Sequence, residues 1–515
     1  MRNFLKMLFS RMAVVVLALA LQVAALILML VIFEDYVVFF YAFCLLISLL
    51  AVLKIVNDRS NPGYKIAWLI PILLFPIFGG IFYLLFGGNR LGRRTRHRMQ
   101  KVNEKMKQAL PPDPQLQTQL KAESPRAAHQ SCYIQNKAFC PPCRGTFSEY
   151  LPSGEEKFAR LKEELVKAKR YIFLEYFIIQ EGIMWDTVLD ILKEKVKQGV
   201  DVRVIYDDVG SLTTLPYHYE RRLEEAGIAC CVFNPFVPVL SARLNNRDHR
   251  KILVIDGYIG FTGGINLADE YINAYPKHGH WKDSAILLKG EAVWNLTVMF
   301  LSLWEYIRGV DEDYNRYRPL PEELAEVRLP DDQAGYIQPF ADSPLDNEAV
   351  GESVYLNMIT QTMDYIYITT PYLIIDNEMI TALSTAAKSG VDVRIITPHI
   401  ADKWFVHAVT RANYEALIED GVRIYEYTPG FIHAKTFVSD DQFGVVGTIN
   451  LDYRSLYLHF ECGTWLYRTP SVLAVKEDFL KTLEVCQEIT YEDCRKVSKL
   501  RLLGRAVLRV FAPLM

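Results

Sequence analysis

The sequence is short of two things. Cysteine is sparse: nine in 515 residues, odd in number and scattered. That excludes a disulfide framework and fits reduced thiols in a cytosolic setting. Cys140-Pro-Pro-Cys143, with His129 and Cys132 upstream, is the one cluster to weigh as a metal site. No second paired-cysteine motif follows it, so an ordinary loop is expected, and no metal or other cofactor. Net positive charge is lacking too: 57 Lys and Arg stand against 60 Asp and Glu, a formal charge of -3. Without a global basic field, nucleic acid is not an expected partner.

What the chain does have is apolar residue, 51% of the total, concentrated at the N-terminus. Met12 to Phe33 is uncharged and apolar, and Tyr36 to Leu53 is a second such run. Each, with its flanks, is long enough to cross a hydrocarbon core of about 30 Å. A signal peptide has a shorter apolar region and no second span at once behind it, so retained anchors are expected. A third run, Ile66 to Gly88, carries Pro71, Pro76, Gly79 and Gly80 in its middle. Arg2, Lys6 and Arg11 precede the first run; Lys54, Arg59 and Lys65 follow the second; "NRLGRRTRHR" follows the third. The positive-inside rule places all three basic stretches in the cytosol. Two full spans then require the third segment to be re-entrant, while a three-span topology with the catalytic part outside is the alternative.

The expected organisation is a membrane region over 1–90, a polar linker or elbow over 91–145, a first repeat over 146–330 and a second over 331–494. A basic amphipathic helix follows over 495–515. In that helix Arg501, Arg505 and Arg509 share one face, and Leu500, Leu503, Val507 and Val510 the other, a pattern suited to an anionic leaflet. The Pro-rich apolar stretch from Asn234 to Arg247 is a second candidate for lipid contact.

The two repeats are legible line by line. "YIFLEYFII" and "KQGVDVRVIYD" in the first half answer to "YIYITTPYLII" and "KSGVDVRIITP" in the second. Apolar strand candidates alternate with helical patterns, which predicts α/β layers, twice. Each half then writes one sparse motif: His249, Lys251 and Asp256, and again His433, Lys435 and Asp440. Side chains two apart on a strand point to one side, so each His faces with its Lys. An imidazole beside an ammonium is poor core filler but suits a phosphate: Lys supplies charge, and His attacks phosphorus or moves a proton. Asn266 and Asn450 follow their histidines at equal spacing and are expected to donate to phosphate oxygens. One His-x-Lys on a strand is an ordinary accident; two at matched places are not.

H-x-K-x-x-x-x-D followed by a glycine turn and Asn resembles the phospholipase D superfamily, whose members pair two such motifs in one active site. "FNPFVPVLSARLNNRDHRKILVIDGYIGFTGGINLADEYI", "YDDVGS" and "NPGYKIAWLIPILLFPIFGG" together resemble the bacterial cardiolipin synthases, across nearly the whole chain. "GTIN" stands where Ser is common at the second place and keeps the hydroxyl. The resemblance implies two tandem α/β repeats packed as a pseudo-dimer behind a helical membrane region. It implies a metal-free phosphatidyltransferase of the bacterial plasma membrane; the apolar runs and the basic stretches between them make it multi-pass, with its catalytic part cytoplasmic. Two phosphatidylglycerol molecules would become cardiolipin and glycerol through a phosphohistidine. Family precedent makes His249 the nucleophile and His433 the acid/base, but the near-symmetry of the motifs leaves that order open. Asp256 and Asp440 fall at odd spacing from their histidines and are read as positioning groups. Glu270 and Glu461 are expected to orient the motif histidines, with Glu175 a weaker member of the same shell. The rivals are a lipid hydrolase or nuclease of the same superfamily, and a non-enzymatic scaffold, which intact motifs argue against. Oligomeric state is not legible; with both motifs in one chain, a dimer is not needed to build the site.

Overall fold

The computed structural model describes residues 37–58, 60–76, 78–87, 93–236, 246–327, 335–346 and 348–514, with single positions at 20, 24, 27, 28 and 329. Most of the first apolar run, Met12 to Phe33, and most of the stretch from Asn234 to Arg247 lie outside the described residues.

Helix α1 (Val37–Asn57) is, among the described residues, the one helix long and apolar enough to cross a membrane. The third apolar run is broken as its prolines dictate. Helix α2 (Pro62–Leu74) ends at Phe75, and α3 (Gly79–Phe86) begins after the turn. The two fold back on each other so closely that a Cβ on Gly79 would meet the Ile72 backbone. Gly80 has the same intimacy with Ser48 of α1, so glycine sets this three-helix packing.

The stretch expected as a polar linker is instead three helices, Arg93–Ala109, Pro114–Glu123 and Pro125–Ala138. Asp113 and Ser124 cap the latter two, each with proline at the first turn. Leu120, Ala127, Ile134 and Ala138 are buried in the main core. Polar composition hid an amphipathic pattern. The Cys140–Cys143 segment is a loop pinned to a strand, with Cys143 bridged to Ile337.

The remainder is two mixed α/β units, each around one sheet. The first uses β1 (Phe147–Leu151), β2 (Tyr171–Tyr176), β3 (Asp201–Asp207), β4 (Ala229–Phe233), β6 (Lys251–Ile255), β7 (Ile259–Gly263) and β9 (Ala285–Lys289), in the order β1-β9-β7-β6-β2-β3-β4. Two short strands, β5 (Arg247–Asp248) and β8 (His280–Lys282), leave this sheet. The second sheet uses β10 (Tyr336–Asp342), β11 (Tyr365–Thr369), β13 (Asp392–Pro398), β14 (Arg423–Tyr427), β16 (Thr436–Ser439), β17 (Phe443–Gly447), β19 (His459–Tyr467) and β20 (Cys486–Ile489). Its order is β10-β19-β17-β16-β11-β13-β14-β20. Shorter strands β12 (Leu373–Ile374), β15 (Gly430–Ile432) and β18 (Leu451–Asp452) lie off it. The central strands read as continuous apolar runs because both faces are covered by helices.

The two units are joined by exchange. β5 of the first pairs in parallel with the start of β19 in the second. β15 of the second pairs in parallel with β8 of the first. The helix Val293–Arg308 runs between them, buried over most of its length.

The N-terminal helices dock on the second unit. Asn61, which caps α2, donates from Nδ2 to Asp376 at 2.8 Å and to the Tyr457 hydroxyl at 3.0 Å. Tyr457 in turn donates to Glu352 at 2.6 Å. The C-terminal helix Lys499–Phe511 lies beside them, with Leu503 and Val507 exposed.

Candidate active site

Each motif histidine stands immediately after one of the exchanged strands. His249 follows β5, and its N–H donates to the carbonyl of Phe460 at 2.9 Å. His433 follows β15, and its N–H donates to the carbonyl of Lys282 at 2.6 Å. The residue after each acceptor is a carboxylate. Nδ1 of His249 lies 2.9 and 3.0 Å from the two oxygens of Glu461. Nδ1 of His433 lies 2.7 Å from Oδ2 of Asp283. Each unit thus supplies the carboxylate that orients the other unit's histidine. With Nδ1–H donated, each Nε2 keeps its lone pair.

Both histidines line one cavity of about 530 Å³. Around His433 stand Trp281, Tyr271 and Phe431, with ring centroids 5.5 to 5.8 Å away. Phe177 meets His249 edge-on at 5.0 Å. Burial pushes both imidazoles toward the neutral form, with Lys251 adding to it at His249 and Lys435 at His433. His249 falls well below its ordinary value and His433 to about 4.

The lysines lie beneath. Lys251 donates to the carbonyl of His249 at 2.5 Å, and Lys435 Nζ lies 2.8 Å from Nδ1 of His433. Burial lowers Lys251 to about 8 and Lys435 to about 7. Burial works against the Asp283 carboxylate, but Lys435 and His433 hold it below the usual range. The site is a buried cation-rich pocket with two neutral imidazoles, the field an anionic phosphodiester would settle.

Asp256 and Asp440 lie elsewhere. Each opens the hairpin turn at the far end of its strand, with φ of 51° and 53°, on the order of 20 Å of strand from its histidine. Asp256 accepts from the N–H groups of Lys169, Arg170 and Tyr171 at 2.7 to 2.8 Å. Asp440 does the same for Met363, Asp364 and Tyr365 at 2.9 to 3.2 Å. They tie the motif strand to the central strand beside it and touch nothing in the cavity.

Asn266 and Asn450 both line the cavity. Asn266 is occupied: it accepts from Ile178 N–H at 3.0 Å and donates to the Tyr271 hydroxyl at 2.6 Å. Asn450 has its carbonyl oxygen buried without a partner. Glu270 does not take the orienting place expected of it. It pairs with Lys277 at 2.7 Å and accepts from Tyr275 at 3.1 Å. The folded chain brings Asp283 to His433 instead. Glu175 lies under the site, 2.6 Å from Arg250, and burial raises it well above the usual carboxylate range.

Sequence reasoning passed over Asp283, His459, Arg247 and Arg454. Asp283 had a signal: it stands just ahead of β9 as Glu461 stands in β19, each two residues before the partner of a glycine-turn strand. Among the described residues, His249, His459 and Glu461 bring three ligand atoms within 4.8 Å of one another. A divalent cation there would face the Lys251 ammonium and break the His249–Glu461 contact, so these residues fit a histidine–carboxylate pair better than a metal.

The family model described as "Cardiolipin synthase, PLD-like domain" matches residues 161–304 and 355–483. One described as "Phospholipase_D-nuclease N-terminal" matches 46–88. An uncharacterized protein of Streptococcus mutans is 44% identical, covering 90% of this chain and 99% of its own. A cardiolipin synthase of Halalkalibacterium halodurans is 34% identical over 92% of this chain and 94% of its own. One from Geobacillus sp. (strain WCH70) is 36% identical over 89% and 90%. Among solved structures, the phosphatidylserine synthase of Haemophilus influenzae superposes with a TM-score of 0.57 at 17% identity, covering 75% of this chain and 100% of that one, a likeness of fold.

Proposed function

Because this chain belongs to the cardiolipin synthase family of the phospholipase D superfamily, we propose that it joins two phosphatidylglycerol molecules into cardiolipin and glycerol. It is a phosphatidyltransferase acting on phospholipids and a membrane-associated protein. The observation that carries the reading is the reciprocal pairing: two histidines in one cavity, each held at Nδ1 by a carboxylate of the other unit.

In the proposed first displacement, Nε2 of His249 attacks the donor phosphorus and the P–O bond to glycerol breaks. His433 gives its proton to the departing glycerol oxygen. The phosphatidyl group stays on His249 as a phosphohistidine. In the second, His433 takes the proton of the acceptor's terminal hydroxyl, the alkoxide attacks phosphorus, and the P–N bond breaks. His249 is assigned the nucleophile's part and His433 the acid/base's, as family precedent has it; burial holds both imidazoles toward the neutral form. An anionic diester between the lysines reverses the field that keeps His433 neutral and lets it carry the proton. Lys251, Lys435 and Asn450 neutralise charge on the phosphoryl oxygens; Asn266 acts through Tyr271.

The membrane placement follows from the same reading. α1 crosses the bilayer as one of at least two spans in the plasma membrane. The α2–α3 hairpin enters and leaves on the cytoplasmic side, where the catalytic units sit. The helix Lys499–Phe511 lies on the leaflet with Leu503 and Val507 toward lipid.

Purified protein in vesicles of phosphatidylglycerol, with chelator present, tests this by lipid mass spectrometry. Cardiolipin and free glycerol, both lost in His249→Ala and His433→Ala, are expected. Phosphatidic acid as the main product would make the protein a hydrolase and defeat the proposal.

A further inference from the structure

The cavity has an end that the two displacements do not use. Arg247, Arg454 and His459 line it, beyond His249. Arg247 in β5 stands opposite His459 in β19. Arg454 reaches in from the helix Tyr453–Tyr457. The His459 ring lies 5.7 Å from that of His249.

These groups are unequally partnered. The Arg247 guanidinium is tied down, to Asp207 at 3.3 Å and to the carbonyls of Asn246 and Asn234 at 2.9 and 3.2 Å. Among the described residues, the Arg454 guanidinium donates no hydrogen bond and makes no ion pair. The nearby Asp452 carboxylate is taken by the N–H groups of Arg454 and Ser455. The His459 side chain is only 10% exposed, yet neither ring nitrogen has a hydrogen-bond partner. Its nearest carboxylate oxygen, on Glu461, is 3.8 Å away. Burial, with Arg247 adding to it, holds Arg454 below its ordinary value despite Asp452. Leaving a partly buried guanidinium and a buried imidazole without hydrogen-bond partners is costly unless an anion joins them.

Chemistry supplies the anion. Joining two phosphatidylglycerols needs two phosphates in one cavity. One is attacked between the histidines. The other belongs to the acceptor and sits one glycerol bridge away from the reacting hydroxyl, chemically unchanged throughout. Lys251 and Lys435 are committed to the first. We propose that Arg454 and His459, with Arg247 behind them, form the subsite for the acceptor's phosphodiester. This rests on the transphosphatidylation reading and deepens it. A guanidinium fork matches phosphate oxygens in a way that a point charge does not. Water carries no phosphate to place there, so the subsite favours lipid over water as acceptor and sets a synthase apart from a hydrolase.

The test separates two reactions of one enzyme. Phosphatidylglycerol vesicles with excess labelled glycerol report exchange of label into phosphatidylglycerol, which needs both histidines but no acceptor phosphate. Cardiolipin formation in the same vesicles needs the acceptor phosphate as well. In Arg454→Gln, cardiolipin formation is expected to fall about tenfold or more beyond any fall in exchange, with Arg454→Lys between the two. An equal fall in both reactions, in Gln and Lys variants alike, would overturn the subsite, as would no fall in either. A wild-type protein that performs neither reaction would defeat the transphosphatidylation reading itself, which no behaviour of the variants could mimic.

Discussion

Asp283 and His433 stand 2.7 Å apart although they belong to different repeats. Glu461 and His249 repeat the relationship in the opposite direction. Each carboxylate fixes the tautomer and direction of its imidazole. Asp283→Asn and Glu461→Gln are therefore expected to slow cardiolipin formation by between about a hundredfold and ten-thousandfold. Glu270→Gln, which loses a partly exposed ion pair with Lys277, changes it by less than about threefold. Initial rates on phosphatidylglycerol vesicles check all three.

Which histidine becomes phosphorylated is open to direct trapping. His433→Asn, given a phosphatidyl donor whose leaving group needs no proton, should accumulate a phosphatidyl adduct on His249. Peptide mass spectrometry at neutral pH locates it. An adduct mapped to residue 433 in a His249→Asn protein, and none on His249, would exchange the two roles.

The motif aspartates give a different signature. Asp256→Ala leaves three N–H groups without their charged acceptor and puts Ala at positive φ. It should cost about 2 kcal/mol or more of stability and lower the unfolding temperature. Turnover per folded molecule, corrected by active-site titration, should change far less than in the His249 or His433 variants. Asp440→Ala should behave alike.

Acid stability carries the mark of His433. Its imidazole is pushed from the ordinary 6.5 to about 4, burial first and Lys435 second. The unfolded chain takes up this proton as pH falls through 6.5, while the native one resists until about 4. The native state therefore loses stability inside that window and nothing above it. At pH 5 the loss is about 2 kcal/mol. Raised carboxylates such as Asp207 act oppositely in the same range. The observable is the difference between wild type and His433→Gln in denaturant unfolding at pH 7 and pH 5, wild type losing more.

Phosphate binding should take up protons. Burial leaves Lys435 at about 7 and Lys251 at about 8, and an anion between them favours their charged forms. At pH 8, calorimetric titration with a short-chain phosphatidylglycerol should show heats that vary with the buffer's ionisation enthalpy. Lys435→Met should reduce that dependence. Buffer-independent heats in the wild type would mean that both lysines are already charged.

Much of this molecule is local in sequence and was readable there. The repeats show as matched strand runs, and His249, Lys251, His433 and Lys435 as a doubled spacing. Glu461 was legible as a carboxylate that could orient a motif histidine. Asp283 has the same local setting, yet the sequence reading named Glu270 and passed Asp283 over. What decided between them is the pairing of β15 with β8, a contact between repeats that no local pattern encodes. Arg454 was invisible for a related reason: a lone Arg in a helix is ordinary until the fold removes its partners. The helices of 93–138 were missed because polar, proline-bearing segments read as connectors, and only packing shows that Leu120 and Ile134 belong to the core.

The exchanged carboxylates also order events in time. Along the chain, His249 precedes Glu461 by 212 residues. At ordinary synthesis rates that is roughly 10 to 40 s. Until the second repeat has emerged and folded, the first motif histidine has no partner to fix its tautomer, and the second has not been made. A growing membrane-associated chain meets lipid it cannot yet cut. Assembly of the fold is itself the safety catch.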